Sequence, residues 1–257
     1  MTTIAHSDNS EAATGLLEAP MDDESRPDTW LRSRRSSALA NGSDGSREWV
    51  FPDADELFRS IYTRAGAGFS SEVLAVCSAL AGEGKTTVSV GLAVTIAQDF
   101  PERRVLLVET DLQHPVLAED FGTHPSPGLI DCLVHEEPLL SACRPTFLEN
   151  FHVVPAGVAA DEPGRPLRSS RMAAVVDAMR QSYDIIILDL PAILVNSDSI
   201  LLTDLADGVI CVVRAGITPI ALHQRAVEQI EPGKLRGVVM NGSASSVPGW
   251  VSRLAGL

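Results

Sequence analysis

The ten residues Ser78-Ala79-Leu80-Ala81-Gly82-Glu83-Gly84-Lys85-Thr86-Thr87 constrain this chain more than any other stretch. The apolar run Val73-Leu74-Ala75-Val76-Cys77 precedes them and a helical pattern, Val88 to Gln98, follows. Strand, glycine-rich turn and helix in that order bring backbone amides together at a helix N-terminus, where they bind phosphate. Gly82, Glu83, Gly84, Lys85, Thr86 and Thr87 are the expected cradle, with Lys85 reaching terminal phosphates and the Thr86 hydroxyl holding a magnesium ion. The pattern G-x-x-x-x-G-K-[ST] is incomplete, because Ala79 stands where the first glycine is expected. A relaxed match arises by chance in unrelated chains, so the flanking strand and helix decide in favour of a nucleotide site.

Two further strands end in acids. Val105-Leu106-Leu107-Val108 runs into Glu109-Thr110-Asp111, whose carboxylates at i and i+2 point the same way from an extended chain. Ligands bind outside the carboxyl ends of strands in an open α/β sheet, which directs both acids at the nucleotide. Asp184-Ile185-Ile186-Ile187-Leu188-Asp189, followed by Leu190-Pro191-Ala192, has the form of a Walker B strand, with Asp189 expected on the magnesium directly or through water. Taken alone it reads as a core strand with a turn Asp; beside the glycine loop it reads as part of a site.

The remaining pattern alternates. A helix is predicted from Pro52-Asp53-Ala54-Asp55-Glu56, with Leu57, Phe58, Ile61 and Tyr62 as its apolar face and Gly66-Ala67-Gly68 as its end. Leu112 to Asp120 and Gly128 to Val134 read as short helices, Phe151 to Pro155 as a strand and Ser169 to Ser182 as a helix. Gly208 to Val213 and Leu235 to Asn241 are further strands, with a helix over Thr218 to Ile230 that presents Ala221, Leu222, Ala226 and Ile230 on one face. Nearly continuous apolar strands separated by helices predict an α/β fold: a doubly wound, mainly parallel sheet covered on both faces.

With 257 residues and a formal net charge of −14, the chain divides into a tail at 1–49, a domain at 50–241 and a short apolar tail at 242–257. Residues 1–49 lack the apolar content to offset ordering entropy and are expected to be disordered. Acidity in both the tail and the domain weighs against nucleic-acid binding, which needs a basic face. The one basic cluster of the tail, Trp30 to Arg35, suits solvent or a partner contact. Cys77, Cys132, Cys143 and Cys211 form no C-x-x-C pair; Cys77 and Cys211 lie in apolar runs and read as core. With no membrane-length apolar run and no signal peptide, the expected location is cytoplasmic, with any membrane association through a partner.

Between about Asp55 and Asn241 the chain resembles the bacterial tyrosine kinases that work with polysaccharide co-polymerases in capsule and exopolysaccharide export. Ala81 to Thr87 is similar to the family's P-G-E-G-K-[ST]-[TS], Val105 to Pro115 to its second acidic motif, D-x-D-x-[RK]-x-P, and Tyr183 to Pro191 to its Walker B strand. The stretches from Asp198 to Val209, Val212 to Gly216 and Gly237 to Asn241 continue the pattern. The resemblance implies a ParA/MinD-like P-loop NTPase fold that uses ATP and Mg2+. It implies phosphate contacts from Lys85 and the loop amides, metal roles for Thr86, Asp189 and Asp111 with Glu109 beside them, activation of the phosphoryl acceptor by Asp111, and Asn241 near adenine. It also implies a membrane-embedded co-polymerase of the chain-length-determinant type as partner, and assembly into a homo-oligomer.

The departures bear on function. Glu109 replaces the first Asp of the acidic motif and Gln113 its basic residue. Glu56 and Arg59 match the start of the family's E-x-x-R-x-x-R oligomer contact, but Tyr62 occupies the second Arg position, which weakens ring assembly as an inference. The C-terminal tyrosine cluster is missing: the chain has two tyrosines, Tyr62 and Tyr183. Autophosphorylation is therefore doubtful, which keeps a catalytically weak regulatory ATP-binding subunit in view. A ParA/MinD-type positioning ATPase is the other alternative, disfavoured because no lysine precedes Gly82 in the loop.

Overall fold

The computed structural model describes residues 39–41, 47–49, 55–66, 71–158 and 164–242. Within the expected tail, β1 (Leu39–Asn41) and β2 (Arg47–Trp49) pair antiparallel; most of that tail, the basic cluster at Trp30 to Arg35 and the tail after Gly242 lie outside the described residues. The domain follows in the order α1 (Asp55–Ala65), β3 (Glu72–Ser78), α2 (Lys85–Asp99), β4 (Val105–Glu109), α3 (Leu117–Asp120), α4 (Leu129–Val134), α5 (Leu139–Ala142), β5 (Arg144–Pro145) and β6 (Phe151–Val154). After a turn at Pro166–Arg168 come α6 (Ser170–Ser182), β7 (Ile185–Asp189), α7 (Asp198–Leu205), β8 (Gly208–Arg214), α8 (Ile220–Val227) and β9 (Leu235–Asn241).

One seven-stranded sheet runs β5-β6-β4-β7-β3-β8-β9. All its pairings are parallel except that of the short edge strand β5 with β6. Alternate residues of each strand feed opposite faces, as the pleat requires. Val73, Ala75, Cys77, Leu106, Val108, Ile186 and Leu188 pack with α4, α6 and α7 on one side. Leu74, Val76, Leu107, Ile185, Ile187, Ile210 and Phe151 pack with α1, α2 and α3 on the other. Both faces are covered, which is why the strands read as unbroken apolar runs. Cys77 and Cys211 are fully buried, as expected of small core residues.

Helix α2 is buried on nearly every side, including Ser89, Thr95 and the apolar residues around them, because α1 lies across its outer face. Phe58 sits so close to Gly91 that a Cβ there would stand 2.1 Å from the ring. Arg59 Nε and Nη2 donate to Asp99 at 2.8 and 2.9 Å, and the Tyr62 hydroxyl donates to the same carboxylate at 2.8 Å. Asn150 Nδ2 donates to the carbonyls of Ala97, Phe100 and Arg103, satisfying the end of α2.

Several expectations need correction. Leu57 faces solvent while Phe58, Tyr62 and Ala65 form the buried face of α1, a stripe shifted by one residue. Of the span Leu112 to Asp120, the last turn alone is helical, since Asp111 to Pro115 is spent on the site described below. The helix expected over Thr218 to Ile230 is shorter, and of its proposed apolar face Ala226 and Ile230 are buried while Ala221 is exposed. Helices α5 and α7 and strand β5 were not anticipated.

The start of β3 is anchored by Asp207. Its carboxylate accepts from the Val73 amide at 2.8 Å and from both terminal nitrogens of Arg180 at 2.7 and 3.0 Å. Burial raises its pKa, but Arg180 and the amide outweigh it and hold the carboxyl below its ordinary range. A depressed carboxylate stabilises fully above pH ~4 and ceases to do so as pH falls through its folded value. Asp207→Asn should therefore lower stability near neutrality by about 1–2 kcal/mol and flatten the acid limb of the stability profile, read by denaturant unfolding between pH 3 and 7. Gly91→Ala should lift α1 from α2 and cost about 1–3 kcal/mol by thermal unfolding, with Phe58→Leu recovering part of the loss.

Candidate functional site

The turn between β3 and α2 has positive φ at Gly82 (79°) and Gly84 (94°), and at no other residue of the loop. Ala79 is fully buried with no left-handed backbone, so the missing first glycine costs the turn nothing. Gly84 is doubly required: beyond its φ, an added Cβ would lie 2.0 Å from Asn241 Nδ2. That nitrogen donates to the Glu83 carbonyl at 2.9 Å. Asn241, which the sequence placed near adenine, therefore sits at the end of β9 against the backbone of the loop.

Glu83 turns away from the cradle into the protein. Its carboxylate accepts from the Leu80 amide at 2.7 Å and from the Thr218 hydroxyl. Thr218 Oγ1 in turn accepts from the Arg214 amide at 3.2 Å, and Arg214 Nη1 donates to the Gly82 carbonyl at 3.2 Å. A carboxylate aimed into a phosphate cradle would repel the ligand; turned inward, it stitches the loop to the end of β8. Arg214 lies in the Val212 to Gly216 stretch and Thr218 at the start of a predicted helix, but neither was read from sequence as a support of the loop.

Asp189, at the end of β7, is almost wholly buried and sits opposite Val76 of β3 and Glu109 of β4. Ser89 Oγ, one turn into α2, lies 2.9 Å from its Oδ1, and Thr86 supplies a second hydroxyl. Thr110 holds the Asp189 carbonyl through its amide and its hydroxyl, at 3.1 and 2.8 Å. Burial pushes the Asp189 carboxyl above its ordinary range, opposed by the charge of Lys85 and by the two hydroxyls. Lys85 Nζ lies 3.3 Å from Asp111 Oδ2, both side chains being about nine-tenths buried. The other oxygen of Asp111 accepts from the His114 amide at 3.2 Å. Lys85, Thr86, Asp111 and Asp189 therefore share one corner, as the sequence proposed.

Glu109 behaves differently from the sequence expectation. Its Oε1 accepts from the amides of Val116 and Leu117, and its Oε2 from that of Ala156 at 3.0 Å. Both oxygens tie the entry of α3 to the chain leaving β6, so Glu109 is engaged in structure rather than turned to a metal. Burial pushes its pKa up to about 7 against the pull of these three amides, with Asp189 adding to the rise.

Among the described residues no three His, Cys, Asp or Glu side chains converge tightly enough to hold a metal by themselves. The hydroxyl of Thr86 with the carboxylates of Asp111 and Asp189 is a set of hard oxygens that suits magnesium, an ion commonly held by one or two carboxylates together with substrate phosphates. The nearly buried Asp189, facing one ammonium and two hydroxyls, accommodates a further cation.

Strand, glycine turn and helix, with an acid-ended strand paired directly to the strand before the turn, define a P-loop ATPase. A family profile described as an AAA domain matches residues 71–230. Among curated relatives, tyrosine-protein kinase YwqD of Bacillus subtilis is 30% identical over 196 residues, covering 74% of this chain and 82% of the relative. Succinoglycan biosynthesis transport protein ExoP of Rhizobium meliloti is 29% identical over 180 residues, covering 68% of this chain but 23% of its own length. Among solved structures, the VpsO kinase domain superposes with a TM-score of 0.68 at 27% identity, covering 84% of this chain and 99% of that one. MinD of Pyrococcus horikoshii, solved with Mg-ADP, shares the fold with a TM-score of 0.57 at 23% identity, covering 70% and 75%. The chain belongs to the bacterial tyrosine-kinase family and shares its P-loop fold with MinD. No helix among the described residues is long and apolar enough to cross a membrane.

The loop geometry carries a direct consequence. Gly84→Ala should lower ATP affinity by about ten-fold, the cost of a left-handed alanine together with displacement of Asn241. In titrations with a fluorescent ATP analogue, adding Asn241→Ala should restore less than half of that loss, since the backbone strain remains.

Proposed function

We propose that this chain uses Mg-ATP to phosphorylate tyrosine on a second polypeptide, acting beside a membrane-embedded polysaccharide co-polymerase, and that it does not phosphorylate itself. The observation that carries the reading is the corner where Lys85 Nζ meets Asp111 at 3.3 Å with Asp189 buried behind them. Its membership of the tyrosine-kinase family supports the reaction, and the naming of ExoP for succinoglycan biosynthesis and transport supports the setting.

In the proposed roles, the amides of Gly82 to Thr86 and the Lys85 ammonium hold the phosphates. The inward turn of Glu83 keeps negative charge away from them. Thr86 and Asp189, with Asp111, would hold magnesium, which would supply neutralisation of phosphate charge. Asp111 accepts the proton of the attacking hydroxyl. The tyrosyl oxygen bonds to the γ-phosphorus as the bond to the β–γ bridging oxygen breaks, giving phosphotyrosine and ADP. Catalysis comes mainly from position and charge, because the transferred group needs little covalent help from the protein.

The acceptor comes from elsewhere because neither tyrosine of this chain is available. Tyr62 is 6% exposed with its hydroxyl on Asp99, and Tyr183 is 8% exposed, packed edge-on to His152 at 5.7 Å between ring centres. Burial raises both phenols, Tyr62 to about 12, so neither is a ready nucleophile.

Purified protein with Mg-ATP should release ADP slowly and carry no phosphotyrosine. Addition of the cytoplasmic segment of the co-polymerase should produce phosphotyrosine on that segment. ADP without phosphotyrosine on any component would sink the kinase reading, and ATP binding with neither product would favour a regulatory subunit. Lys85→Met should reduce turnover by about 10²–10³-fold in the same assay.

A further inference from the structure

Beside the nucleotide corner lies a pocket of about 680 Å³, within the size range of ligand-binding clefts. Gln113, just past Asp111, forms one wall, and Asn196 and Ser197, from the loop after β7, form another. Arg165 and Arg168, from the turn before α6, close it. It therefore opens at the carboxyl ends of β4 and β7, the strands that carry Asp111 and Asp189, and lies outside the loop that cradles phosphate.

The charges of this pocket are arranged with a bias. Asp198 contributes a buried carboxylate, but Arg168 Nε donates to it at 2.6 Å, so its charge is matched within the wall. Arg165 is exposed and makes no ion pair with the described residues. Asn196 Oδ1 accepts from the Asp198 amide at 2.9 Å, which leaves its NH2 group as a donor, and Gln113 and Ser197 add neutral donors. On a chain of net charge −14, this mouth presents a cation and hydrogen-bond donors. Guanidinium groups pair with carboxylates through charge-assisted hydrogen bonds.

We propose that this pocket seats the acceptor segment of the second polypeptide and selects a tyrosine flanked by carboxylates. Arg165 makes the selecting ion pair, and the Arg168–Asp198 pair fixes the wall behind it. The proposal rests on the kinase reading and names its substrate class. Both tyrosines of the chain are buried in its own core, so the segment in the pocket belongs to another polypeptide.

The test is binding, read without turnover. Fluorescein-labelled Glu-Glu-Tyr-Glu-Glu, Gln-Gln-Tyr-Gln-Gln and Lys-Lys-Tyr-Lys-Lys are titrated by anisotropy against the full chain with magnesium and a non-hydrolysable ATP analogue. The acidic peptide should bind about ten-fold tighter than the glutamine peptide, and the preference should shrink at high salt. Arg165→Glu should abolish it and Arg165→Lys should retain part of it. Ser197→Glu, on the opposite wall, is a second variant that should weaken the acidic peptide; thermal unfolding establishes that each variant is folded. Equal binding of the three peptides, or an acidic preference that survives both glutamate variants, would overturn the proposal. Tight acidic-peptide binding with no phosphotyrosine under Mg-ATP leaves the pocket standing and removes the kinase reading; phosphorylation of all three peptides alike does the reverse.

Discussion

The parallel pairing of β3 with β7 is the constraint on which the rest of the molecule depends. It sets Val76 opposite Asp189, so that the acid at the end of β7 emerges beside the turn at the end of β3. Helix α2 leaves that turn over the same edge, and Ser89 and Thr86 meet the acid with hydroxyls. A buried carboxylate without such partners would be costly; here the cost is offset by hydrogen bonds, by Lys85 and by the charge the site is built to receive. Strand β7 enters the sheet between β3 and β4 although it follows both in sequence. That insertion brings the Glu109-to-Asp111 turn within hydrogen-bonding reach of the Asp189 backbone, which Thr110 holds twice.

A second set of contacts ties the loop to the strands around it. Glu83, Thr218, Arg214 and Asn241 connect it to the ends of β8 and β9. Backbone donors that already converge need little reorganisation when phosphate arrives, which is how fixed dipoles are most effective. The inward Glu83 serves this arrangement twice, removing a like charge from the cradle and bonding the Leu80 amide of its own loop. On the outer side, α1 covers α2 through Phe58 and Gly91 and through the shared carboxylate of Asp99. Arg59, first basic residue of an oligomer-contact pattern, is thereby occupied within its own domain, and Tyr62 supports the same carboxylate in place of a second arginine.

Much of the fold was legible because parallel strands buried on both faces leave a plain record. Val73 to Cys77, Val105 to Val108, Ile185 to Leu188 and Gly208 to Val213 each read as strands and each is one. Helices were less legible where burial is partial. Helix α7 mixes polar and apolar residues, and Leu201 remains exposed, so no clear period marks it. In α1 the buried stripe runs through Phe58, Tyr62 and Ala65, and Leu57 at its margin looked equally suited to the core. The site divided in the same way. Lys85, Thr86, Asp111 and Asp189 stand in a recognisable local order, whereas Glu109 has an acid's identity and a place beside Asp111 but is taken by three backbone amides, those of Val116 and Leu117 just downstream and that of Ala156 after β6.

The sequence by itself determined the element types, the buried strands, the sharp glycine turn and the acids at strand ends. Those follow from spacing among near neighbours, at periods of 2 and 3.6 residues, and from backbone angles that glycine alone adopts freely. Tertiary structure decided which acid received which partner. Glu109 went to backbone amides, Asp111 to Lys85, Asp189 to Ser89 and Thr86, and Glu83 inward to Thr218. It also placed Arg165 and Arg168 opposite Gln113 and Asn196 around one pocket. Apart from the amides of Val116 and Leu117, these pairings join residues far apart in the chain, through a strand order that differs from the order of synthesis, and local pattern carries no record of them.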